Sequence, residues 1–214
     1  MQKIGDIYKE YKIMPILALH QIRVAAVAMI VCESLDIQVD KDSIAKACLL
    51  HDIANIIKFD LTYFPEFNKP EGLEYWQKVK DDYILKYGND EHEASVRIVK
   101  ELGLSDMIVH LVDIVEAHHI EKVTNGNDIA EKICLYADNR VTPHGITSLN
   151  DRNIEAKNRY KNHPHSFGDD KREFFMKNIQ EVENQIFSHS NIKPEDINDE
   201  SIAPYLEKLQ DFSI

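Results

Sequence analysis

Four stretches of this chain carry apolar residues at helical spacing, and on each the apolar stripe runs into a histidine or an aspartate. Between residues 15 and 36 the stripe is Leu17, Val24, Val27, Ala28, Val31 and Leu35, with His20 lying on it. Between 41 and 56 it is Ile44, Ala47 and Cys48, continued by His51 and followed directly by Asp52. Between 105 and 119, Ile108, Leu111, Val112 and Val115 lead to His118 and His119. Between 127 and 141, Ala130, Ile133, Cys134, Ala137 and Val141 flank Asp138. A carboxylate turned into an apolar core without a partner costs several kcal/mol, so Asp52 and Asp138 need a compensating cation. Arg23 and Arg140 are the only basic residues near them on those stripes. A divalent metal satisfies two carboxylates and several imidazoles at once. Mixed His and Asp ligation favours Mn, Fe, Co, Ni or Zn and still admits Mg.

The rest of the chain reads as helix. Only 7 of the 214 residues are Gly, and no strand-like alternation runs for long. The pattern predicts helices over 3–11, 15–36, 41–56, 71–87, 90–102, 105–119, 127–141, 150–161, 170–188 and 199–211. Asp90 with Glu93 makes a capping box that puts His92 in a first helical turn, and Ser105 caps the next helix. Pro15, Pro65, Pro70, Pro143, Pro164 and Pro194 fall between the segments, where breakers belong. The fold class is therefore all-α, one domain over 1–214. Its metal-binding core spans about 15–142 and a helical appendage about 150–214. The part from 170 onward packs on the same domain or on a second subunit, which leaves a homo-oligomer open. Residues 57–72, rich in aromatics and Lys, are either a rim over a site or a packed connection, and 162–169 form a second break.

Charge narrows the partners. A net charge of −12 leaves no basic face for duplex nucleic acid or an anionic membrane. A small anionic substrate remains compatible, because a metal supplies positive charge locally. The longest unbroken apolar run, residues 24–32, is too short to span a bilayer, and the first dozen residues lack the apolar segment of a leader. A cytoplasmic location is the expectation. Cys32, Cys48 and Cys134 lie in apolar segments with no CxxC pair and are expected to be buried, reduced thiols.

The order His20, then His51-Asp52, then Asp138 gives H…HD…D in a helical chain. That pattern resembles the HD superfamily of metal-dependent phosphohydrolases over roughly residues 15–142. HQIRVAAVAMIV is similar to the first family helix, ACLLHDIAN to the HD helix and LYADNRV to the last metal helix. The resemblance implies one metal held by His20, His51, Asp52 and Asp138. His92 and His118 match the subset that holds a second metal, bridged by Asp52, with His119 a competing ligand or a catalytic acid beside the nucleophile-positioning Asp52. It implies hydrolysis of a phosphate ester or anhydride of a nucleotide or small metabolite by a metal-activated hydroxide. Arg23, Lys58, Arg140 and His144 are then the expected contacts to that substrate. The chain departs from two branches. Asn55 and Lys58 follow the HD pair where cyclic-dinucleotide phosphodiesterases have HDxGK, and the Glu-Asp pair of guanosine tetraphosphate hydrolases is absent. Two other functions share such ligands: a mixed-valent di-iron oxygenase and a metal-binding nucleotide sensor.

Overall fold

The computed structural model describes residues 2–163, 166 and 168–214; Pro164, expected as a breaker, lies outside the described residues. Among these are eleven α-helices and one two-stranded hairpin. The helices are α1 (Ile4–Glu10), α2 (Pro15–Ser34), α3 (Lys41–Leu50), α4 (Leu73–Tyr87), α5 (Glu91–Glu101), α6 (Asp106–Ile114), α7 (Ile120–Asn125), α8 (Ile129–Asp138), α9 (Leu149–Arg159), α10 (Asp169–Phe187) and α11 (Asp199–Gln210). Strands β1 (Val141–Thr142) and β2 (Gly145–Ile146) pair antiparallel, Val141 opposite Ile146.

Helix α2 is the axis. It starts with Pro15 at its first position, where a missing N–H costs nothing. Helices α3, α8 and α11 all pack on it, and Ala25, Ala26 and Ala28 on its buried surface are small enough to allow close approach. By length and composition α2 could cross a membrane. Here it is the central helix of a bundle, apolar nearly all round because it is covered on several sides. Helix α3 is capped by Asp40, whose side chain accepts from the Ser43 N–H, α5 by Asp90 and α6 by Ser105.

The segment from 170 onward packs on its own chain: α10 lies against α7 and α8, and α11 lies against α2. Residues 57–72 form a packed connection. Leu61, Phe64 and Asn68 are buried, and the Asn68 amide donates to the Leu61 carbonyl at 2.8 Å.

Three local departures from the helical pattern matter for the site. Helix α3 ends at Leu50, so His51 caps it and Asp52 lies in the turn beyond rather than on a helix to 56. Helix α6 ends at Ile114, Glu116 is extended (φ −64°, ψ 139°), and a 3-10 turn Ala117–His119 leads into α7. The helix expected to reach 141 stops at Asp138, and β1 follows.

Candidate metal centre

His20, in the second turn of α2, and Asp138, the last residue of α8, meet His51 and Asp52 from the end of α3. His20 Nε2 lies 3.0 Å from Asp138 Oδ1 and 3.7 Å from Asp52 Oδ2. His51 Nε2 lies 3.4 Å and 3.7 Å from the same two oxygens. With bonds of about 2.0–2.2 Å, neighbouring donors around a tetrahedral or octahedral ion stand about 3.0–3.5 Å apart. Each imidazole nitrogen thus stands near that spacing from both carboxylates; His20, His51 and Asp52 offer donor atoms all within 4.8 Å of one another, and Asp138 lies beside the two histidines.

The surroundings orient the donors. His51 Nδ1 lies 2.8 Å from the Cys48 carbonyl and donates to it, which turns the Nε2 lone pair toward the cluster. His51 Nε2 is buried and makes no well-formed hydrogen bond, an orphan that a metal would satisfy. Gln21, fully buried next to His20, accepts the Asp52 N–H on its Oε1 at 3.2 Å. The Asn55 amide donates to Asp52 Oδ2 at 2.7 Å. His51 forms the floor, and the two Asp side chains, about a quarter exposed, form the open side.

Charge in the cluster is strongly coupled. Burial alone would push the His51 pKa down, but the Asp52 and Asp138 carboxylates hold it up to about 9. Burial would raise Asp138, yet His20 and His51 hold its carboxyl well below the usual carboxylate range. The cluster is a place where positive charge is stabilised, and its two imidazoles and two carboxylates fit a divalent metal.

The other sequence candidates divide. Arg23 Nη1 donates to the Pro143 carbonyl at 3.2 Å, and its Nε is buried without a partner. Glu33 accepts from the Tyr205 hydroxyl at 2.5 Å and Asp52 faces the histidines. His144 is exposed at the hairpin tip beside Pro143. Lys58 Nζ pairs with Glu91 at 2.7 Å. Against desolvation, Glu91, helped by Asp52 and Glu116, keeps the Lys58 pKa above the ordinary lysine value. Arg140, expected to meet substrate, is instead turned inward. The chain turns at Asn139 beyond α8, and the buried Arg140 guanidinium is used up inside the protein. It meets the Thr147 carbonyl and Tyr136 hydroxyl, and donates to the carbonyls of Pro194 at 3.1 Å and Ile197 at 3.0 Å.

His92 and His118 are not drawn into the first cluster. His92 Nε2 lies 3.1 Å from Asp113 Oδ1, and His118 Nδ1 lies 3.1 Å from Glu116 Oε2. His119 lies against His118, the rings tilted with centroids 3.7 Å apart; partial burial and the neighbouring His118 lower its pKa. Sequence reasoning missed Gln21, Asp113 and Glu116. The signal for Gln21 was its place among the apolar residues of α2. The two carboxylates stand just ahead of the His118-His119 pair, on a segment read there only for its apolar stripe.

An all-helical bundle that gathers two histidines and two aspartates at one solvent-facing point is an arrangement able to hold a divalent metal. The family model for the HD domain matches residues 17–152, and the chain belongs to that family, a superfamily of metal-dependent phosphohydrolases whose domains bind divalent metals. No curated protein and no solved structure matches the chain.

Proposed function

We propose that this protein hydrolyses a phosphate ester or anhydride of a nucleotide or small metabolite at the His20–His51–Asp52–Asp138 centre. The observation that carries the reading is the convergence of those four donors beside an arginine with no ion pair among the described residues. A divalent ion held there would supply Lewis acidity and bring the pKa of water toward neutrality.

The chain's own groups do the rest. Asn55 holds the Asp52 carboxylate, Gln21 holds the Asp52 backbone, and the Cys48 carbonyl fixes the His51 tautomer. Arg23, one helical turn beyond His20, has donors left over after its bond to Pro143. Its planar fork suits phosphoryl oxygens. With its lowered pKa, His119 is neutral near pH 7 and is better placed to accept a proton than to give one. His144 at the hairpin tip and Lys58 offer outer contacts to an anion.

The test is a screen of nucleotides and phosphate esters with Mn, Co, Mg and Ni, run on wild type and Asp52→Ala. Phosphate release is expected from wild type. It should vanish in Asp52→Ala along with metal retention, while helical circular dichroism stays largely intact. Full activity in that variant would overturn the reading.

A further inference from the structure

We propose that Arg152, on α9 and loosely held by Glu155, anchors a second phosphate of the substrate, one other than the phosphate attacked at the metal centre. The proposal rests on the reading of that centre as a phosphohydrolase site, and it narrows the substrates to those carrying two phosphates.

Helix α9 turns a charged face inward. Leu149, Arg152, Ala156 and Arg159 recur at spacings of three and four, which is one stripe of a helix. Leu149 is buried, and the side chains of Arg152 and Arg159 are only 22% and 18% exposed. Two guanidiniums thus stand where a helix ordinarily buries apolar groups. Glu155 is the carboxylate they share. Arg159 grips it with Nε at 2.7 Å and Nη2 at 3.3 Å, and its guanidinium lies 4.7 Å from the Tyr160 ring centroid and 5.9 Å from that of Phe64. Those contacts fix Arg159. Arg152 has a single bond to Glu155, from Nη1 at 3.3 Å, and its Nε is buried without a partner. A buried donor left unpaired is costly, so the Glu155 contact does not satisfy Arg152.

Charge points the same way. Two arginines and one glutamate sum to +1, in a chain whose net charge is −12. A mostly desolvated cation in excess of its partners is unfavourable until an anion joins it. A phosphate offers paired oxygens that match the guanidinium fork. It can take Arg152 from Glu155 while Arg159 keeps that carboxylate.

The position suits a substrate that reaches past the metal centre. Strand β1 packs against both α2, which carries His20 and Arg23, and α9. Arg23 is bonded to the hairpin at Pro143, and its Nε is likewise buried without a partner. Two arginines of the same kind therefore flank the hairpin, one on the helix that supplies a metal donor and one on the helix that follows. At the far end of α9 the Tyr63 hydroxyl donates to the Arg159 carbonyl at 3.4 Å. The arginine stripe thus runs between the hairpin that follows Asp138 and the connection that follows Asp52. Arg172, whose Nε is also unpartnered, meets α9 from α10 at Asn153, 3.0 Å away and about 100° round the helix from Arg152.

The probes are methylphosphonate and the terminal diphosphonates of ethane, propane and pentane, whose carbon–phosphorus bonds resist hydrolysis. Each is titrated calorimetrically into Mn²⁺-loaded, desalted protein as wild type, Arg152→Gln and Glu155→Gln, with melting curves as the folding control. In wild type at least one diphosphonate should bind at least about tenfold more tightly than methylphosphonate, the size of one hydrogen bond to a charged group. Arg152→Gln should remove that advantage and leave methylphosphonate binding unchanged. Glu155→Gln should increase the advantage severalfold, because the competing carboxylate is gone. No diphosphonate advantage in wild type, or variants that keep it unaltered, would overturn the subsite and leave the metal centre standing. Wild type that binds neither kind of probe would overturn the phosphate reading of the centre as well.

Discussion

Asp52 is held from two directions, and that makes Asn55 a sharper probe than Asp52 itself. Removing its amide in Asn55→Ala leaves every first-cluster donor present but frees the carboxylate to rotate. Mn²⁺ affinity at the first centre should fall about 10- to 100-fold, the usual cost of losing such an outer partner, with little change in melting temperature. Unchanged affinity would show that the carboxylate is held without the Asn55 amide. Arg23 answers a different question. Arg23→Lys and Arg23→Ala should both retain metal and lose turnover or raise KM, with Ala the worse, because lysine cannot offer paired donors. Turnover near wild type with only a small shift in stability would assign Arg23 to holding the Pro143 carbonyl alone. The coupled charges also set a pH dependence for the chelated protein. The folded pKa of His51 is raised to about 9, so its contribution is fully present below about 6.5, the value of a free imidazole, and is lost as pH rises through about 9. Asp138 is depressed, so its contribution is present above about 3.8 and is lost as pH falls through its lower folded value. Melting temperature in chelator should therefore decline between about pH 6.5 and 9, and Mn²⁺ should flatten that decline, since the metal takes the deprotonated imidazole. A melting temperature level across that window in chelator would contradict the charge coupling.

Helical periodicity made most of the elements readable, because a stripe such as Ile44, Ala47, Cys48 reports the face a helix must bury. Caps were readable for the same kind of reason: Asp90 and Ser105 each accept the N–H three residues on, as their sequence positions suggest. The ends were harder to read. No Gly or Pro marks the stop of α3 at Leu50 or of α6 at Ile114, and the contacts made beyond such ends are not local. One is the Gln21 bond to the Asp52 N–H, which depends on a residue 31 positions away. The hairpin after α8 was equally hidden, and with it the role of Arg140. Its spacing from Asp138 suggested a substrate contact, but the carbonyls that capture it come from residues more than 50 positions later. At the scale of that element the expectation is structural. Arg140→Met should cost about 3 kcal/mol in urea unfolding, from buried carbonyls and Tyr136 left without their partner. A loss below about 1 kcal/mol would mean that water replaces the guanidinium.

Across the whole molecule, the C-terminal segment is part of the machinery around the site. Arg140 ties β1 to the carbonyls at 194 and 197, and Asp199 Oδ1 accepts from the Ile146 N–H at 3.1 Å. The Asp199 carboxylate fills the space a Cβ at Gly145 would need, and Gly145 has φ +147°. Gly145→Ala should therefore displace the hairpin that carries Pro143 and His144. The expected result is a rise in KM with the first Mn²⁺ equivalent unaffected; an unaltered KM would place the hairpin outside substrate binding. The packing of α11 on α2 has a kinetic consequence. Helix α2 supplies His20, and about 165 positions separate it from the helix that covers its flank. Contacts of such long sequence separation close late, after their loop entropy has been overcome. During synthesis, then, a growing chain holds all four first-cluster donors well before α2 is shielded, and until α11 docks it offers an uncovered apolar flank to chaperones or to other nascent chains.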